Sequence, residues 1–351
     1  MKPVVILPIV AAAAAFVPLP SAAVERFYSR GIYPFIQNAV TAASSVVPFA
    51  LLDVALVAMT AIWAASVVRR WRDKRAAAAL RAAGSSLVLI ASIVVLVFFA
   101  FWGLNYRRVP LEVRLEYDRS RVTREATVEL ARLAVERVNA LEPGKAPTAS
   151  SHDALVGAFA HTQRRLGAAR TARPARPKTS LFSWYLRKAG IDGMVDPWFL
   201  EILVNPDVLP IEYPFTLAHE WAHLAGYANE SEANFVAWLT CLAADERAQY
   251  SGWLEAFQYA RAALPHENRR ELDRRLSPPV VADLRAIAER LGTMNPAVSG
   301  FARNVYDSYL RAQGVDEGIA SYGAMLRLML GTTFRNGWVP ALRNGQGVPE
   351  P

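Results

Sequence analysis

The chain of 351 residues holds one cysteine and five histidines. The single thiol, Cys241, excludes an internal disulfide. An exported domain of this chain must therefore be held by its core, and residues 105–351 are long enough to bury one. Cys241 lies in an apolar stretch and reads as a buried thiol rather than a ligand. Strand signal is sparse, and its best candidate is 198–205. Acid is missing from residues 154–191, which carry eight Lys or Arg. The net charge of +8 is concentrated there and in the loop 69–81, so the rest of the chain is net acidic. Such patterning gives no reason to expect nucleic-acid binding. The segment 154–191, rich in Pro, Ala and Arg, reads as a solvated, mobile loop or as a contact with anionic lipid headgroups or an acidic partner.

Long apolar runs are present. Residues 87–104 carry no charge and are long enough to span a bilayer. Residues 49–68 are similar but include Asp53, near one end and expected to face water or headgroups. Residues 3–19 form a third apolar run, either a transmembrane helix or a secretory signal ending at Ala23. Loop 69–81 contains Arg69, Arg70, Arg72, Lys74, Arg75 and Arg81 against Asp73 alone, so it is expected on the cytoplasmic side. The segment 20–45 and everything after 105 then lie on the other side, in the periplasm or outside the cell. The expected fold class is mainly α. Residues 1–104 form a membrane region of about three transmembrane helices, in contact with lipid. Residues 105–351 form an extracytoplasmic, mostly helical domain with a small edge strand or sheet.

Two of the five histidines fall in His219-Glu220-Trp221-Ala222-His223. With histidine so scarce, a chance H-E-x-x-H is on the order of 1% from composition. On a helix, His219 and His223 face the same way one turn apart and can bind one Zn²⁺. Glu220 can reach the zinc's water without being a ligand. Pro214 suits a first helical turn, and Gly226 sits where a left-handed stop is expected. Asn229 is placed to cap a second helix from Glu230. The third ligand is open among Asn229, Glu230 and Glu232, with the neutral amide the weakest donor. His152, His161 and His266 lack ligand spacing and read as surface residues.

The segment Glu230-Ser231-Glu232-Ala233-Asn234 resembles the E-x-x-A-D/N signature of gluzincin-type peptidases, including HtpX-like and CAAX prenyl-protease membrane enzymes. That resemblance implies Glu230 as zinc ligand, with Asn234 orienting a ligand histidine from behind. The order of apolar segments, Trp102 to Leu111, the H-E-x-x-H block, 305–310 and 320–323 is similar to a bacterial membrane family catalogued as domain of unknown function 3810. It implies a membrane-tethered, zincin-like domain of unknown substrate. In H-E-x-x-H peptidases of this type an edge strand above the zinc binds substrate as an added strand, a role expected here of 198–205.

The expected chemistry is hydrolysis of a peptide or protein. Zinc on His219, His223 and Glu230 activates water, and Glu220 takes its proton and passes it to the leaving amine. Tyr309 and Tyr322 are candidate oxyanion donors. The competing expectations are a non-catalytic zinc-binding sensor or scaffold, and a zinc amidase acting on the cell wall. An intact Glu220 speaks against the scaffold.

Overall fold

The structure, a computed structural model, describes residues 3–73, 76–141, 152–312 and 322–343. It is mainly helical, as expected. Helix α1 (Pro3–Phe16) is followed by one continuous helical run made of α2 (Ser21–Ala23), a wide π-helical stretch (Val24–Ile32) and α3 (Tyr33–Ser44). Helices α4 (Leu51–Asp73) and α5 (Ala76–Phe101) contain the stretches Leu51–Arg72 and Leu80–Phe101, both long and apolar enough to cross a membrane. Helix α1 is shorter, about 21 Å at the helical rise, against a hydrocarbon core of about 30 Å. It joins Ser21–Ser44 through a bend of 102° and counts as a span only together with that helix. The α1 end is tied down by the Arg107 guanidinium, which donates to the carbonyls of Ala14, Ala15 and Val17.

The segment 20–45, expected on the same side as the residues after 105, is a docked helix. Val24, Tyr28 and Tyr33 enter the same core as Trp221, Trp238 and Phe257. Its amphipathic face explains this: buried residues recur at Tyr33, Gln37, Thr41 and Ser44. Gln37 accepts from Arg173 N, and Thr41 donates to the Leu200 carbonyl.

The remaining helices are α6 (Leu111–Arg114), α7 (Arg124–Ala140), α8 (His152–Arg165), α9 (Ser183–Ala189), α10 (Tyr213–Leu224), α11 (Glu230–Leu242), α12 (Glu246–Ala263), α13 (His266–Asp273), α14 (Pro278–Gly292), α15 (Pro296–Ala312) and α16 (Tyr322–Gly331). Helices α10, α11 and α12 pack as the centre of the domain, with Trp221, Phe235, Trp238 and Phe257 fully buried among them. Cys241 is buried in α11.

Three strands make one small sheet: β1 (Pro177–Lys178), β2 (Gly193–Asp196) and β3 (Glu201–Val204), in the order β1-β3-β2. β3 runs parallel to β1 and antiparallel to β2. A hairpin, β4 (Phe334–Arg335) with β5 (Val339–Pro340), closes the chain over Trp238 and Trp253. The expected strand at 198–205 exists as β3, but it is central. All four of its residues are buried, which suits a strand covered on both faces. The two edges of this sheet are β1 and β2.

The basic segment is ordered against the domain, although most of its Lys and Arg side chains are exposed. Residues 152–165 form α8, and the stretch after it is threaded between α3 and α10, where Trp221 Nε1 donates to the Ala175 carbonyl. Lys178 is 4% exposed and pairs with fully buried Glu201. Asp53, expected at water or headgroups, is also buried. Its carboxylate accepts from Ser180 Oγ and Leu181 N, fixing that segment to the first turn of α4.

Candidate metal centre

Helix α10 has Pro214 in its first turn and buries Leu217, Trp221 and Leu224 on its apolar face. That leaves His219 and His223 together on the other side. The helix ends in a Schellman turn: Gly226 (φ 84°) donates to the His223 carbonyl, and Tyr227 N to that of Ala222. A side chain at 226 would also collide with the Asn105 amide, 2.9 Å from where a Cβ would lie. The last carbonyls of a helix lack intrahelical partners, and here segments from the membrane side supply them. Trp102 Nε1 donates to the His223 carbonyl at 2.9 Å, and the Tyr33 hydroxyl to that of Leu224 at 2.7 Å. Arg108 donates to the Gly226 carbonyl, lies over the Tyr227 ring and pairs with buried Glu25.

The turn brings Glu230 back over the histidines. Asn229, open as a ligand from sequence, caps α11 by accepting from Ser231 N and Ser231 Oγ. The Nε2 atoms of His219 and His223 are 3.1 Å apart. Glu230 Oε2 lies 3.3 Å from the first, and Oε1 3.5 Å from the second. This is the one group of potential metal ligands gathered among the described residues. Tyr227 O receives His223 Nδ1 at 2.8 Å, which directs the Nε2 lone pair at the centre. Burial alone would lower the His223 pKa, but the charge and hydrogen bond of Glu230, with Glu220 and the Tyr227 carbonyl, raise it to about 9. Burial works against ionised Glu230 too, yet His223 and His219 hold its carboxyl well below the usual carboxylate range. The field at this point favours a cation.

Glu232 does not join them. Two residues along a helix is more than half a turn, so its side chain points away from Glu230. It is buried and accepts from Leu111 N at 2.6 Å. Burial is the main cause of its raised pKa, opposed by that backbone donor and by Arg108 and Arg114. Asn234 stands one turn after Glu230 but donates to the Tyr259 hydroxyl at 3.0 Å. The orienting contact expected of Asn234 is made for His223 by the Tyr227 carbonyl.

Glu220 is 3% exposed, and its Oε2 has no hydrogen-bond partner among the described residues. Burial above all pushes its carboxyl up, with Glu230 and Asp192 adding and the two histidines opposing. Strand β2 lies directly on it, since a Cβ at Gly193 would stand 2.5 Å from Glu220 Oε1. Arg290 of α14 sets that approach by bridging Asp192, just before β2, to Glu212, just before α10.

Of the tyrosines, Tyr306 of α15 reaches the site and donates to Glu230 Oε1. The side chains of Tyr309 and Tyr322, the expected donors, lie outside the described residues. Tyr306 falls in the same 305–310 block, one helical turn before Tyr309. Of the other histidines, His152 and His266 are exposed, and His161 is half-buried.

A family model described as a protein of unknown function (DUF3810) matches residues 28–330. The chain belongs to the DUF3810 family. The match begins inside the docked helix and takes in both apolar spans, the metal-centre helices and most of α16. Docked helix, spans and candidate centre all lie within the matched region. No curated protein and no solved structure gives a significant match to the chain.

Proposed function

We propose that the protein is a membrane-anchored zinc-dependent peptidase whose centre lies at the outer face of the cytoplasmic membrane. The observation that carries this reading is the convergence of His219, His223 and Glu230 beside the buried, unpartnered carboxylate oxygen of Glu220. Two imidazole nitrogens and one carboxylate, with a position left open, form a donor set suited to catalytic zinc. Two Nε2 atoms this close, backed by a carboxylate, fit a shared cation better than a neutral histidine pair. Zinc held there supplies a Lewis acid and brings the pKa of water toward neutrality.

The chain's own residues do the rest. The Tyr227 carbonyl fixes the His223 tautomer. Glu220 takes the proton of the attacking water at its free oxygen and delivers it to the leaving nitrogen, so the C–N bond breaks to carboxylate and amine. The Tyr306 hydroxyl, which donates to Glu230 Oε1 at the rim of the centre, is the candidate to turn from it to a developing oxyanion. Antiparallel pairing with β3 alternates, and Asn205 N bonds to the Asp192 carbonyl. The backbone groups of Gly193 and Val195 therefore face the open edge, where an extended polypeptide can add as a strand. That edge favours a peptide over a cell-wall amide. The basic loop 69–81 supports the outward orientation of the centre.

The test is the zinc content of the full chain purified in detergent. One zinc per chain is expected, retained in Glu220→Gln and Glu232→Ala and lost in Glu230→Ala. Glu220→Gln is also expected to lose about 10²–10⁴-fold in hydrolysis. A folded wild-type chain without zinc would overturn the reading.

A further inference from the structure

The candidate centre is built onto the ends of the apolar spans, and the free edge of β2 leads from one to the other. Phe101 ends the second span, and the next residue, Trp102, donates to the carbonyl of His223, with the two rings 6.4 Å apart. At the far end of β2, the turn into β3 carries Trp198. Its Nε1 donates to the Val94 carbonyl of α5 at 3.1 Å, and its ring lies 6.4 Å from Phe98. Val94 is within the last two turns of that span. The same end of the sheet also meets the start of the first span. Glu201 accepts from Leu52 N, and Lys178 donates to the Ser44 carbonyl. Beside it, the segment that Asp53 holds to α4 exposes Leu181 (73%) and Trp184 (58%), apolar side chains suited to the headgroup layer.

One end of β2, Gly193, thus touches Glu220, and the other, Asp196, stands next to the turn that rests on the spans. Three residues of strand cover about 10 Å. A polypeptide paired with this edge has its reacting bond at Glu220 and, a few residues away, reaches the membrane boundary. On the peptidase reading given above, we infer that the substrates are polypeptides tethered to the same membrane, bound along β2 and cut roughly three to six residues from where they leave the bilayer. The tether also raises the local concentration of substrate at the edge.

The test uses the full chain, zinc-loaded, in vesicles of phosphatidylethanolamine and phosphatidylglycerol. One randomised ten-residue segment is presented in three ways: directly beside a transmembrane anchor, at either its N- or C-terminal side; beyond a long helical spacer from that anchor; and as a free soluble peptide. Products are mapped by mass spectrometry against Glu220→Gln vesicles. The expected result is at least tenfold faster cleavage of the anchor-proximal segment, with cuts within six residues of the anchor. Equal or faster cleavage of the spaced or free segments would overturn the inference while leaving a peptidase in place. No Glu220-dependent cleavage in any format would overturn the peptidase reading, and this inference with it.

Discussion

Glu230 and Glu232 are separated by one residue and by opposite surroundings. The first faces two imidazoles, and the second a backbone N–H and two arginines. Their spacing in the chain gives both the same chemistry, so only the direction of each on α11 distinguishes them. Loss of Glu232 should appear as lost stability rather than lost metal. Glu232→Ala leaves Leu111 N–H buried without its acceptor, and a cost of about 1–3 kcal/mol is expected in thermal unfolding. Gly193 is the complementary case, a residue without chemistry whose absence of a side chain matters. Gly193→Ala puts a methyl against the Glu220 carboxylate. It is expected to keep the zinc and to cost about 1–3 kcal/mol in unfolding from overpacking, while lowering kcat at least tenfold. Unchanged turnover in Gly193→Ala would show that β2 does not constrain the general base.

At the level of elements, the small sheet is the part that position in sequence hid. Gly193-Met194-Val195-Asp196 is short and holds two residue types depleted in strands, so it carries little strand signal. It forms because β3 gives it a partner and Arg290 holds its start. Proline at an outward-facing position of an edge strand costs the ladder nothing. Val195→Pro is therefore expected to leave unfolding almost unchanged while removing a donor from the substrate edge, and peptide hydrolysis should fall about tenfold or more. Behind the sheet, Lys178 and Glu201 form a buried pair. Lys178→Met strands the Glu201 charge, and a loss of about 3–5 kcal/mol is expected. Most of it should return in Lys178→Met with Glu201→Gln, which keeps an acceptor for Leu52 N. If the double variant were as unstable as the single, packing of the lysine stem would be the dominant contribution.

For the whole molecule, the membrane-side segments are structural members of the domain. Tyr33 and Trp102 complete the end of α10, and Glu25 neutralises Arg108 behind the turn. A fragment of residues 105–351 lacks all three. It is expected to unfold without a cooperative transition and to bind no zinc, whereas the full chain in detergent is expected to melt cooperatively and to bind one zinc. Calorimetry and metal analysis on the two proteins check this. A fragment that melts cooperatively at the temperature of the full chain would show that the docked helix is dispensable.

The sequence by itself determined the local features: two apolar spans, the motif helix with Pro214 and Gly226 at its ends, the Asn229 cap and a mainly helical fold. These rest on periodicity, capping and backbone freedom, which act within a few residues. Scarce histidine at helical spacing marked His219 and His223 for the same reason. Tertiary structure decided what depends on residues far apart in the chain meeting. It selected Glu230 over Glu232 for the cluster, brought Tyr306 to the site and put β3 in the centre of the sheet with β2 at an edge. It also drew Lys178 and the 20–45 helix into the interior. Lys178 looks solvated in its basic stretch until the buried Glu201 carboxylate and the Ser44 carbonyl from distant segments supply its partners. No local pattern records those partners.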